Sequence, residues 1–327
     1  MLPNLTNIKQ VNSLLTVLFA MVFSIAVAQP EITVRGEGFE ISDGQNTWPD
    51  STGQAFGVLT ANQDAVDHTF WIFNEGSSDL NVTDINVRST NYDDHFSIVG
   101  STTLTIAAGD SAAFTIRYRP TAIGTHGRRD TNPWRNWIDI ISDDADEATF
   151  DFSISGAAIQ EDGFDCSSGR MLFSHYSGNG TDLKEWNYGE QPPTLNIISN
   201  AWTGYHDGMS LNPSDNYIYA MRYHPSNTRE QLWVFDQSGN SRYVADVVGG
   251  NITASMGAHA SAGAFDNNNN LYTFHNADAT TSLNKINVRS AEAELITLTD
   301  PVHIRAAIYN PDDGLLYGYS FGATHDG

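Results

Sequence analysis

Three histidines recur at matched places in the second half of the chain. His206, His259 and His303 stand 13, 13 and 14 residues before Tyr219, Tyr272 and Tyr317. Imidazoles converging from three repeats would suit a transition metal, or would contact an acidic or sugar ligand. The plainer alternative is a repeated polar position that caps a turn. A second group, Asp143, Asp144, Asp146 and Glu147, offers the hard oxygen ligands that calcium takes. Its alternative is a solvated hairpin turn, and the residue order lacks a calcium-loop signature. A third group, Arg128, Arg129, Trp134, Arg135 and Trp137, holds residue types that anchor binding rims. There the alternative is an ordered loop with Trp137 packed inward.

The sequence has no His-Glu-x-x-His, Cys-x-x-Cys, phosphate-cradling loop or dinucleotide fingerprint. No cofactor is implied beyond the calcium just considered. The acids are numerous, so a carboxylate pair for glycoside cleavage stays open. The single cysteine, Cys166, can form no disulfide within the chain, so burial and backbone pairing must supply stability.

The bulk numbers set the compartment. Lys9 is the only charge before Glu31, and an apolar run from Leu14 to Ala28 ends in Ala26-Val27-Ala28. This is the pattern of a signal peptide over residues 1–28, cleaved before Gln29, the alternative being an uncleaved anchor. The expected mature product is exported, with no membrane insertion after cleavage, and extracellular or at the surface of a bacterial cell. The net charge of −23 becomes −24 once Lys9 is removed. Such a surface repels phosphate backbones and anionic lipid, which argues against nucleic-acid partners.

The elements that must position these residues are strands. From residue 31 to about 158, short β-rich runs come every ten or so residues, bounded by Gly, Asn, Asp and Ser. Phe70-Trp71-Ile72-Phe73-Asn74-Glu75-Gly76 followed by Leu80-Asn81-Val82-Thr83-Asp84-Ile85 reads as strand, tight turn and strand. Phe114, Ile116 and Tyr118 alternate toward a core. With Pro30 to Gly36, Leu104 to Ser111, Phe114 to Pro120, Ile140 to Asp144 and Phe152 to Gly156, this ordered set resembles the Hydin-type immunoglobulin-like domain, in its bacterial choice-of-anchor D form. The resemblance implies a spacer or interaction module over residues 29–158, not an enzyme. The stretch from His126 to Trp137 departs from that pattern.

Residues 159–164 read as a linker, and residues 165–327 repeat. Asn212 to Tyr219, Asp266 to Tyr272 and Asn310 to Tyr317 share a turn-then-tyrosine pattern, their last tyrosines 53 and 45 residues apart. Leu183 to Asn187, Leu232 to Asp236 and Leu283 to Asn287 form a second recurrent element, spaced by 49 and 51. A period near 50 built of strands and Asp/Asn/Gly turns predicts β-propeller blades. The pattern resembles a bacterial surface-associated propeller family of undefined function. The expected fold is all-β, an immunoglobulin-like sandwich followed by an incomplete propeller of about three to four blades, and a truncated product is the expectation that follows. The function expected is a non-enzymatic surface protein presenting a propeller to a glycan or protein. A self-assembling matrix component and a polysaccharide hydrolase or lyase are the alternatives.

Overall fold

Period-two alternation of apolar side chains builds the first unit as two facing sheets. The structure is a computed structural model; it describes residues 28–89, 95–127, 136–165, 171–176, 180–187, 192–203, 205–223, 230–250, 260–277, 280–298 and 304–320. One sheet runs, in spatial order, Phe39–Ile41, Ile32–Gly36, Val66–Asn74, Ser111–Tyr118 and Phe96–Val99. The other runs Ala55–Thr60, Thr149–Ile159, Asn136–Ser142, Leu80–Ser89 and Leu104–Ile106, with Gly124–His126 also paired to Thr149–Ile159. The inward residues of both sheets interdigitate. Phe70 lies 5.6 Å from Phe114 and 5.5 Å from Phe152, ring centre to ring centre, and all three are buried. Truncating Phe70 to alanine would cost about 3–5 kcal/mol through lost transfer energy and the cavity left behind.

The hairpin expected over Phe70 to Ile85 is not formed. Val66–Asn74 and Leu80–Ser89 belong to opposite sheets, so residues 75–79 cross the sandwich rather than reverse within one layer. Asn74 fixes the crossing by hydrogen bonds, not by a left-handed backbone. Its Oδ1 accepts from the Glu31 and Gly76 amides, and its Nδ2 donates to the Ser78 and Ile106 carbonyls. Gly76 is required by close approach, because a Cβ there would overlap the backbone of residues 29–31. Trp137 also departs from its expected inward packing. It is half-buried under the Arg88 guanidinium, 5.3 Å from the ring centre, while Ile138 and Ile140 fill the core.

Beyond the sandwich the described chain forms four consecutive antiparallel sheets. The first holds Met171–Tyr176, Gly180–Asn187 and Thr194–Thr203. The second holds Tyr205–Leu211, Ile218–Tyr223, Gln231–Phe235 and Ser241–Asp246. The third holds Ala260–Phe265, Asn270–Ala277, Thr280–Asn287 and Glu292–Ile296, with Val248–Gly249 added in parallel at its edge. The fourth is the pair Ile304–Asn310 and Leu315–Ser320. The opening strands of the second, third and fourth sheets pack side by side. Gly263 and Gly208 make this possible, since a Cβ on Gly263 would strike the Gly208 carbonyl.

The repeated turns join the first two strands of the second, third and fourth sheets. Asn216, Asn269 and Gly314 are left-handed, with φ of 60°, 62° and 72°, each three residues before the recurrent tyrosine. Each tyrosine hydroxyl donates back to an acid of its own turn: Tyr219 to Asp215, Tyr272 to Asp266 and Tyr317 to Asp313. Apolar layers fill the spaces between successive sheets. Among the described residues no strand of the fourth sheet pairs with the first.

Residues 159–164, expected as a linker, are docked. Ile159 and Val58 of the sandwich join the apolar layer that also holds Tyr217, Tyr219, Leu271 and Ile286. Thr60 Oγ1 meets the Tyr217 hydroxyl at 2.9 Å and donates to Asp162, while that hydroxyl donates to the Glu161 carbonyl. Phe164 is buried between the first two array sheets. Thr125 Oγ1 donates to the Tyr243 carbonyl, and Asn287 Nδ2 to Asp50, so the sandwich is held at several points.

Candidate functional site

The acidic turn between Asn136–Ser142 and Thr149–Ile159 lies against the start of Ile32–Gly36. This brings Glu31 to Asp144 and Asp146, with one carboxylate oxygen from each within 4.8 Å of the others. Asp144 is buried, its Oδ2 accepting from the Ile32 amide at 2.8 Å. Asp143 turns away from this group. It accepts from both the backbone and side-chain nitrogens of Asn81, and these bonds hold its carboxyl below the usual range. Local desolvation and then the Asp144 and Asp146 charges raise Glu31; desolvation and then Asp43 and Asp144 raise Glu147. Three clustered carboxylates of this kind can take one hard cation, with water completing the six to eight oxygens calcium uses. Glu31 stands 113 residues from Asp144, and the two meet only where one sheet packs against the other, the Ile32 amide bonding to Asp144.

His206 is buried rather than open to a channel. Its ring meets Trp233 and Phe235 edge-on, at 5.4 and 5.3 Å between centres. Its cross-strand neighbour Arg222 lies over Trp233 at 4.6 Å. Of the other expected site residues, His259, His303, Trp134 and Arg135 lie outside the described residues, as do Arg128 and Arg129, the leader residues 1–27 and Cys166.

Two groups that sequence reasoning missed lie between the second and third sheets. Glu230 and His275 are both 2% exposed at the side chain, with Oε1 and Nδ1 3.8 Å apart. Burial, then the Asp207 charge, push the Glu230 carboxyl up to about 8, and the Ala260 amide pulls the other way. Among the described residues Glu230 Oε2 has no hydrogen-bond partner, and His275 Nε2 meets Thr273 Oγ1 at 3.1 Å. A protonated Glu230 explains how a carboxyl persists there, since an ionised one would carry a large desolvation cost. The sequence around Glu230 holds no hint of its burial, which comes from the next sheet packing over it.

A cavity of about 640 Å³ opens where the first, second and fourth sheets converge. Leu172, Leu183, Met209 and Ile218 line it, with Asp165 and Arg305 as its charged groups. This is the size and character of a small-ligand site, mostly apolar with a few polar groups to orient an occupant.

Residues 173–325 match a family described as a repeat of unknown function (DUF6923). No curated protein matches the chain. Its structural neighbours are immunoglobulin-, PapD- and MSP-like β-sandwiches. The ASH/PapD-like domain 7 of human CEP192 shares 13% identity, with 41% of this chain and 88% of that one covered and a TM-score of 0.26. A protein of unknown function from Bacteroides thetaiotaomicron shares 12%, over 80% of this chain and 69% of that one, with a TM-score of 0.30. The MSP family member WR4 of C. elegans shares 13%, over 41% and 100%, with a TM-score of 0.22.

Proposed function

We propose that this is an exported, non-enzymatic surface protein. In it a sandwich of the Hydin-type, choice-of-anchor D kind rigidly mounts an array of propeller blades, and the array binds a glycan or protein partner. The observation that carries this reading is the docked junction. Ile159 and Val58 enter the core of the array, and Thr60, Asp162 and Tyr217 close over them. A flexible tether would need no such shared core, whereas a mount that fixes the orientation of a binding surface does. The cavity beside Met209 and Arg305 supplies a place for a ligand group. Blades fit the array because successive sheets pack through opening strands and recurring turns. The leader supports export.

Two measurements on one expressed full-length chain test this. Mass spectrometry of the secreted product should find Gln29 at its N-terminus, and external protease should reach it on intact cells. A glycan and protein array should then show binding that Met209→Trp, which fills the cavity, abolishes. Unprocessed protein retained inside the cell, or turnover of a polysaccharide, would overturn the reading.

A further inference from the structure

Glu230 and His275 belong to a group that spans the space between the second and third array sheets. Register sets the directions of its members. Asp207 stands opposite Met221, and Met221 opposite Leu232, so these three share the face of the second sheet that packs on the third. Glu230 lies two residues before Leu232 and points the same way. On the third sheet Ala260 pairs with His275, and Leu271, Thr273 and His275 alternate onto the face turned toward the second. Two carboxylates and an imidazole thus meet across one interface. Glu230 and His275 are buried within it, and Asp207 is exposed at its rim, close enough for its charge to act on Glu230.

The details are those of a metal site. Glu230 Oε1 and His275 Nδ1 are 3.8 Å apart, too far for a hydrogen bond. Two ligand atoms on one tetrahedral zinc, each about 2.0–2.1 Å from the ion, stand about 3.4 Å apart, so the pair need close by only about 0.4 Å. Glu230 Oε2 is buried and among the described residues has no hydrogen-bond partner, so either oxygen of this carboxylate can turn to an ion. His275 is oriented from behind. Its Nε2 lies 3.1 Å from Thr273 Oγ1, and a hydrogen bond donated there turns the Nδ1 lone pair toward Glu230. Ligand histidines are ordinarily held in one tautomer by such a bond. A carboxylate buried at this depth also calls for a cation, since a buried charge is costly unless it is paired or coordinates a metal.

We propose that Asp207, Glu230 and His275 bind one divalent transition-metal ion of the zinc type, with water completing its coordination. Imidazole selects zinc and its neighbours over calcium and magnesium, which take oxygen ligands. Asp207 at the rim gives the ion its entry. The ion ties the second sheet to the third, a staple in a chain whose one cysteine can form no internal disulfide. This site is independent of the glycan- or protein-binding role proposed for the array.

Calorimetric titration of zinc into the untagged mature chain, first freed of metal by a chelator, tests it. One equivalent should bind. Thr273→Val removes only the orienting bond and should weaken binding about 10–100-fold. Glu230→Gln and His275→Ala remove ligands and should weaken it further, and Asp207→Asn should weaken it at least about 10-fold. Circular dichroism checks folding; Glu230→Gln keeps the shape of the side chain and carries the test if His275→Ala unfolds. Saturating zinc should raise the melting temperature of the wild type but not of Glu230→Gln. Without metal Glu230→Gln should not destabilise the chain, because the buried carboxyl then carries its own proton. No zinc uptake overturns the proposal, and so does uptake indifferent to any of the three ligand substitutions.

Discussion

Glu230→Gln should stabilise the array at neutral and alkaline pH and leave it unchanged in acid. The carboxyl titrates near 4.5 when unfolded and at about 8 when buried. A group whose folded pKa is raised gives stability that is complete below the unfolded value and is lost as pH rises through the folded one. The difference, at about 1.4 kcal/mol for each pH unit, sets a ceiling of about 5 kcal/mol on the loss between pH 4.5 and pH 8. Glutamine keeps the shape and an acceptor for the Ala260 amide but cannot ionise. The variant and wild type should therefore be equally stable near pH 4, with glutamine ahead by about 3 kcal/mol at pH 7. Urea unfolding followed by circular dichroism at pH 4, 7 and 8 measures this. Destabilisation by several kcal/mol at every pH would refute the reasoning, because it would mean that an ionic pair with His275 had been broken.

The sandwich should respond to acid in the opposite sense. Burial, then the neighbouring His95, hold His126 at about 3, so its contribution is present above 6.5 and fades as pH falls toward 3; His126→Gln should flatten that decline in a urea series. Asp144→Ala should cost about 1–3 kcal/mol by orphaning the buried Ile32 amide, whereas Asp144→Asn, which retains an acceptor, should cost less in the same assay. Tyr217→Phe should lower stability by about 1 kcal/mol through its lost hydroxyl contacts to Thr60 and Glu161, read by calorimetry.

Local pattern was enough to read most strands of the sandwich, because inward residues such as Phe114, Ile116 and Tyr118 alternate with wet ones. It was also enough for the repeated turns, whose Asn216, Asn269 and Gly314 tolerate a left-handed backbone. Phe39–Ile41, Ala55–Thr60 and Gly124–His126 were not legible, being short or interrupted by glycine. The hairpin misreading at Asn74 has a physical cause: period-two alternation reveals a buried face but not which sheet owns it. Site residues fared worse for a related reason. Glu31 meets Asp144 only where one sheet packs against the other, and Glu230 is buried by a neighbouring sheet. The apparent ligand His206 is packed by Trp233 and Phe235, which no spacing of histidines reveals.

The rigid mount is tested most directly by a distance between its two parts. Spin labels at Ala108→Cys in the sandwich and Glu294→Cys in the third array sheet, both exposed, would be placed in a Cys166→Ser background. Pulsed electron–electron resonance should give one narrow distance distribution, which Ile159→Asp broadens. A broad distribution in the chain with its junction intact would contradict the account.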